Sequence, residues 1–277
     1  MSIRTRRLTN CDQIRGFSLT ELLVAVGVSS LVLLMGFTVT QQTLDGWKNA
    51  GATLGRSAEA RIAFDAVVRD FQSILFRQRD VEWFRLTFDQ AIGGESGYST
   101  PQAARLTFFA PRPVSYRLGY EDPIDPEGKF KSFGLYRTYD PSPPPSAQPG
   151  AIYESAASTR AFWRSVESET VDPLNLAASN VISFDISLWY RIHGKLRRLP
   201  DGVSLRVVGS KVETSPQVSD LRHASQLETV DVRMVSLSKE GALNLEQGIG
   251  DTDTILAKHA YRFSARVALN TAGAGLP

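Results

Sequence analysis

The chain has 277 residues, 42% of them hydrophobic, enough for one medium domain with a real core and a long helix besides. Its formal net charge of +2 gives no overall pull toward nucleic acid or acidic lipid. The single cysteine, Cys11, leaves no material for a disulfide framework or a zinc-thiolate site.

The first 16 residues form a basic leader, with Arg4, Arg6, Arg7 and Arg15 against Asp12. Without it the chain keeps 27 of its 31 basic and 28 of its 29 acidic residues, and no cysteine. Phe17 to Val39 is then an apolar run of 23 residues in which Glu21 is the only charge. At about 1.5 Å per residue this is roughly 34 Å of helix, enough to cross a bilayer core. A carboxylate in such a span costs about 2.5–3.5 kcal/mol at mid-bilayer and less near the interface, so Glu21 needs a partner. The positive leader predicts a cytoplasmic N-terminus, with the rest of the chain outside the inner membrane. A secretory signal would carry a shorter apolar run, about 7–15 residues, before a small-residue cleavage site. That alternative and a plain single-span anchor both leave Glu21 and the Gly16-Phe17 junction unexplained.

No proline occurs before Pro101, so nothing in the first hundred residues forces a helix to break. Gly46, Gly51 and Gly55 predict a bend or soft point, each weakening a helix by up to about 1 kcal/mol relative to alanine. Beyond them Leu54, Ala58, Ile62, Phe64, Val67, Val68, Phe71, Ile74 and Leu75 recur at helical spacing. The reading is one helix over about 17–78, with 17–39 in the membrane and the second half packed on a domain spanning 79–277. After the linker Gly93–Gly97, alternation predicts strands over 105–110, 114–120, 133–139, 182–192, 203–208, 229–237 and 261–269. Pro141–Ser146 reads as an exposed polyproline-like loop and 155–169 as room for a short helix. The fold class is α+β, a long N-terminal helix on a mainly antiparallel sheet.

The sequence Arg15-Gly16-Phe17-Ser18-Leu19-Thr20-Glu21, followed by an unbroken hydrophobic helix, resembles the type III signal of type IV pilins and type II secretion pseudopilins. The resemblance covers residues 4–45. It implies cleavage after Gly16 by an inner-membrane prepilin peptidase, N-methylation of the new amine on Phe17, and pairing of Glu21 with the amine of a neighbouring subunit. Such pairing would neutralise both charges in a low-dielectric bundle and set the axial register. The order of features beyond it, including Ala60–Asp65, Asn180–Ile186 and Leu199–Val203, is similar to the J-type minor pseudopilins and large minor pilins. Tyr261–Val267 also resembles prepilin-like proteins encoded in multi-gene cassettes. What these resemblances imply is a structural minor pilin or pseudopilin, with a periplasmic domain and other pilin subunits as partners. The alternative is a pilus-displayed adhesin or a DNA-binding minor pilin.

Chemistry downstream is sparse. His193, His223 and His259 have no metal-ligand spacing, and no nucleophile elbow, Walker or dinucleotide fingerprint occurs, so no enzyme and no catalytic residue is expected. No cofactor is expected either. Since some secretion pseudopilins use calcium, Asp251 and Asp253 in Gly250–Thr254, and the cluster Asp122, Asp125 and Glu127, are the candidates to weigh. Calcium takes six to eight oxygens, and neither stretch completes an EF-hand loop. A solvated turn is the plainer reading. Arg191, His193, Lys195, Arg197 and Arg198, near Trp189 and Tyr190, could form a DNA-binding patch. They could equally be the charged edge of a hairpin.

Overall fold

In a computed structural model the residues described are 18–74, 82–94, 97–101, 103–110, 113–124, 128, 131–139 and 172–269. The leader with Gly16 and Phe17, Asp125 and Glu127, the proline-rich loop and the helix expected over 155–169 lie outside them. The chain divides into two compact units, one ending at Gly51 and the other beginning at Ala52.

Helix α1, Leu19–Gln72, is 54 residues long. Helical geometry passes through Gly46, Gly51 and Gly55, where a bend or soft point is expected, without interruption. The boundary between the two units falls within this glycine-containing stretch. The helix stops at Gln72, short of the expected residue 78. Ser73 turns its hydroxyl onto the Asp70 carbonyl (2.9 Å), and the Ile74 N–H bonds the Phe71 carbonyl (3.2 Å). These i→i−3 bonds tighten and close the last turn.

In the first unit, Leu19–Trp47 is a helix long and apolar enough to cross a membrane, and none of that apolar stretch is buried. Four hydroxyls within it bond back to the helix backbone. Ser30, Thr40 and Thr43 donate to the carbonyls four residues back, of Val26, Gly36 and Val39, and Thr38 donates to that of Met35, each at 2.8 Å. Each hydroxyl is satisfied inside its own helix, which removes the main cost of placing it in hydrocarbon. Trp47 closes the segment, 78% exposed.

In the second unit the helix becomes amphipathic. Ala60, Ala63, Phe64, Val67, Phe71 and Ile74 are buried, while Arg61, Asp65 and Arg69 stay exposed. This i, i+3, i+4, i+7 stripe fits one packed face. It meets a seven-stranded antiparallel sheet of order β5-β4-β3-β2-β1-β8-β9, built from β1 (Glu82–Asp89), β2 (Ala103–Phe109), β3 (Pro113–Glu121), β4 (Ser132–Tyr139), β5 (Leu176–Ser179), β8 (Ser204–Val208) and β9 (Lys211–Ser215). A four-stranded antiparallel sheet has the order β11-β10-β6-β7, from β6 (Val181–Ile192), β7 (Lys195–Arg198), β10 (Leu227–Leu237) and β11 (Ala260–Ala268). The chain passes from the first sheet to the second through Asn180, in the left-handed region at φ 56°.

Phe71 stacks on Phe108 at 4.9 Å between ring centroids, and Phe64 lies 5.7 Å from Phe263 of β11, so the helix touches both sheets. Full burial of one such ring contributes about 1.5–3 kcal/mol. Strand β1 was not among the expected strands. In it Glu82 is buried and holds Arg85 (2.5 Å) and Arg206 (2.8 Å), while Asp89 holds Arg105 (3.2 Å). Between β10 and β11, where a turn was expected, stand two short helices, α2 (Lys239–Glu246) and α3 (Thr252–His259). Gly241 lets them meet, because a Cβ there would lie 2.3 Å from the His259 Cβ.

Candidate functional site

Ser18 and Glu21 open α1 as a reciprocal capping box. The Glu21 N–H donates to Ser18 Oγ (3.2 Å), while the Ser18 N–H (3.0 Å) and hydroxyl (3.1 Å) both donate to Glu21 Oε2. Amide donors that the first turn would leave bare are thereby satisfied. The carboxylate is held at the N-terminal mouth of the helix, against the residue that follows Phe17. From Ser18 onward the apolar segment is exposed and Glu21 is its only charge up to Asp45. An exposed apolar surface of this length is stable only against lipid or other apolar helices. Ser18 is not among the expected site residues, although serine three residues before glutamate at a helix start is itself the capping-box signal.

The prokaryotic N-terminal methylation motif matches residues 12–37. The chain carries a pilin-type signal. With the long helix and antiparallel sheets behind it, the architecture is α+β and pilin-like, and the apolar helix together with the motif supports membrane anchoring. No curated protein and no solved structure matches the chain.

The other candidates are placed by the structure as follows. Asp251 is the N-cap of α3, accepting the Thr254 N–H at 3.3 Å, and Asp253 sits exposed in its first turn. Asp122 is buried and accepts the Ile124 N–H at 2.9 Å. Among the described residues no three His, Cys, Asp or Glu side chains converge as a metal-holding group. The histidines stay apart. His193 and Gly194, at φ 46° and 77°, form the two-residue turn between β6 and β7, His223 precedes a short 3₁₀ turn, and His259 ends α3 within 3.1 Å of Ser238 Oγ.

The basic run is a hairpin whose arginines are engaged. Arg191 binds Glu228 (2.5 Å), Arg197 binds Asp220 (3.2 Å), and Arg198 binds Asp201 and the Ser187 hydroxyl (2.9 Å). Arg191 holds the Glu228 carboxyl below the usual carboxylate range, so the pair stays ionised at neutral pH. A groove of about 320 Å³ beside β1, β8 and β9 is lined by Arg85, Arg206 and Glu213 among others, and these charges neutralise one another across Glu82.

Two polar clusters hold the second unit together and were invisible in the sequence. Tyr116 donates its hydroxyl to Asp70 of α1, and Arg137 donates to the same carboxylate oxygen (2.9 Å) and to the Tyr116 oxygen (2.9 Å). Burial, then the Asp70 charge, pushes the Tyr116 phenol far up, so it stays protonated as a donor. Burial opposes the Arg137 charge, but Tyr116 and Asp70 outweigh it and raise its pKa. On the second sheet, Asp231 accepts from Arg266 (2.5 and 2.8 Å) and from the Trp189 indole N–H (2.8 Å), with the guanidinium 5.1 Å from the Trp189 ring centroid. The Arg266 hydrogen bonds lower the Asp231 pKa against the opposing pull of burial, helped by Trp189.

Proposed function

We propose that this chain is a structural minor pilin or pseudopilin subunit. In this reading prepilin peptidase cuts after Gly16, the new Phe17 amine is methylated, and the mature chain enters a type II secretion pseudopilus or a type IV pilus through its N-terminal helix. The observation that carries the reading is the methylation motif running directly into an unburied apolar helix whose first carboxylate is Glu21. A second support is the capping box, which holds that carboxylate against Ser18 in the first turn of the helix. The N-terminus would face the cytoplasm and the β-rich domain the periplasm, with the inner membrane, the peptidase and other pilin subunits as partners. The role is architectural, with no catalytic residue and no cofactor assigned. Asp251 acts as a helix cap, and calcium through Asp251 and Asp253 is the secondary reading. The adhesin or DNA-receptor alternative draws least support, since the arginines that would serve it hold carboxylates.

The test is N-terminal sequencing of the membrane-bound protein in cells with an active prepilin peptidase. The mature chain should begin at a methylated Phe17, and Glu21→Leu should still be cut while failing to assemble. A chain that still begins at Met1 would overturn the reading.

A further inference from the structure

By composition the membrane span ends at Val39, because Thr40, Gln41, Gln42 and Thr43 follow it. The hydrogen bonds of α1 carry it further. Thr40 and Thr43 donate their hydroxyls to the Gly36 and Val39 carbonyls at 2.8 Å, so neither presents an unmet donor to lipid. The polar residues left between Val39 and the next charge are Gln41 and Gln42, in the last turn ahead of Asp45. The helix is unbroken through this stretch, and its side chains stay exposed as far as Trp47. Glu21 and Asp45 therefore bracket a charge-free helix, Leu22 to Leu44, of 23 residues. At about 1.5 Å per residue it is roughly 34 Å long, close to a hydrocarbon core of about 30 Å. The whole apolar segment, Leu19–Trp47, has 29 residues. Its length of roughly 43 Å matches a bilayer with both headgroup layers, about 40–45 Å. Trp47, 78% exposed at its end, has the amphipathic ring that favours a headgroup layer.

We infer that in the unassembled subunit Leu22–Leu44 lies in hydrocarbon, Glu21 and Asp45 lie in opposite headgroup layers, and Trp47 is a lipid anchor at the interface beside Asp45. The inference rests on the membrane-spanning part of the reading proposed above and moves the span outward from 17–39. The physical ground is charge. A span over 17–39 holds Glu21 four residues, or about 6 Å, inside the hydrocarbon, where a carboxylate is unfavourable. Shifting the helix releases that carboxylate to the headgroups and admits two uncharged amides near the other boundary, where the penalty for polar groups falls. Glu21 then needs no ionic partner inside the bilayer before assembly, and its bonds to Ser18 with headgroup water satisfy it. The two registers differ in which residue lies deepest. Midway between Glu21 and Asp45 is Leu33, whereas the middle of 17–39 is Val28.

The test is a depth measurement on the full chain in vesicles of phosphatidylethanolamine and phosphatidylglycerol. A nitroxide is attached to one cysteine at a time, Val28→Cys or Leu33→Cys in a Cys11→Ser chain, and its collision rates with oxygen and with a water-soluble nickel complex are compared. The oxygen-to-nickel ratio should be about twofold or more higher at Leu33, which lies about 8 Å deeper along the axis than Val28. An equal or reversed order overturns the inference and leaves the spanning reading standing. Lipids brominated near their headgroups should quench the part of the tryptophan emission that Trp47→Phe removes. If iodide in the water quenches that part and the brominated lipids do not, Trp47 stands outside the interface and the inference fails. If neither quenches it, protein rather than lipid covers Trp47, and the inference fails as well. If the nickel complex reaches both nitroxides freely, the helix does not span and both readings fall.

Discussion

Helix α1 puts one backbone conformation to two uses. From Leu19 to Trp47 its side chains are exposed and almost wholly apolar; from Ala60 to Ile74 they sort into a buried stripe and a charged face. The first segment bonds several of its polar groups within itself, by the Ser18–Glu21 box and the back-bonded hydroxyls. The second meets its polar obligations through tertiary partners, as Asp70 does with Tyr116 and Arg137. A segment that is locally complete but apolar can be transferred between lipid and a helix bundle without refolding. One whose partners lie in distant strands cannot leave its sheet. Changes in the first segment should therefore alter processing and assembly, and changes in the second should alter stability.

The sharpest separation is expected at the N-terminus. Gly16→Leu should leave all of the protein as precursor on an immunoblot, with the melting temperature of the domain unchanged; a melting shift of several degrees would show the two segments to be coupled. Next comes Phe71→Ala, which removes a ring stacked on Phe108 and should cost about 3–5 kcal/mol, read by circular dichroism of the detergent-solubilised chain. Cleavage and membrane association should survive it. Asp70→Asn should cost about 2 kcal/mol, because Arg137 loses a charge-assisted bond while partly buried.

Acid should act on the stability of the second unit. With its folded pKa below the unfolded value, Asp231 contributes stability that is full above about pH 4 and is lost as the pH falls through the folded value. Asp231→Asn should therefore flatten part of the acid limb of a melting-temperature profile, and an unaltered limb would remove Asp231 from that account. The smallest effect is expected for Asp251→Ala, about 1 kcal/mol from loss of a cap. A calcium-dependent rise in melting temperature that vanished in this variant would instead favour the ligand reading.

Much of the second sheet was legible, because apolar residues alternate along β6 from Ile182 to Ile192 and along β10 at Val230, Val232 and Met234. Strand β1 was not, since Glu82, Arg85 and Asp89 look like surface residues until β2 and β8 bring their partners across. The turn read over Gly250–Thr254 is a helix start, because Asp251 accepts an amide N–H of its own chain and caps the helix. Ser18 was legible too, as a serine three residues before Glu21 at a helix start. The soft point expected at Gly46, Gly51 and Gly55 left no break in the helix. A deficit of up to about 1 kcal/mol per glycine lowers helix stability without dictating a bend.

By itself the sequence determined the N-terminal segment: the motif, the length of the apolar run and the lone carboxylate are local properties that neither need nor await a tertiary fold. Only the tertiary structure decided the strand order, the corner at Asn180 and the carboxylates that Arg191, Arg197 and Arg198 meet. The reason is reach. The Trp83 indole N–H donates to the Gly209 carbonyl across 126 residues of chain, and contacts that distant are set by how two sheets and a helix share one core.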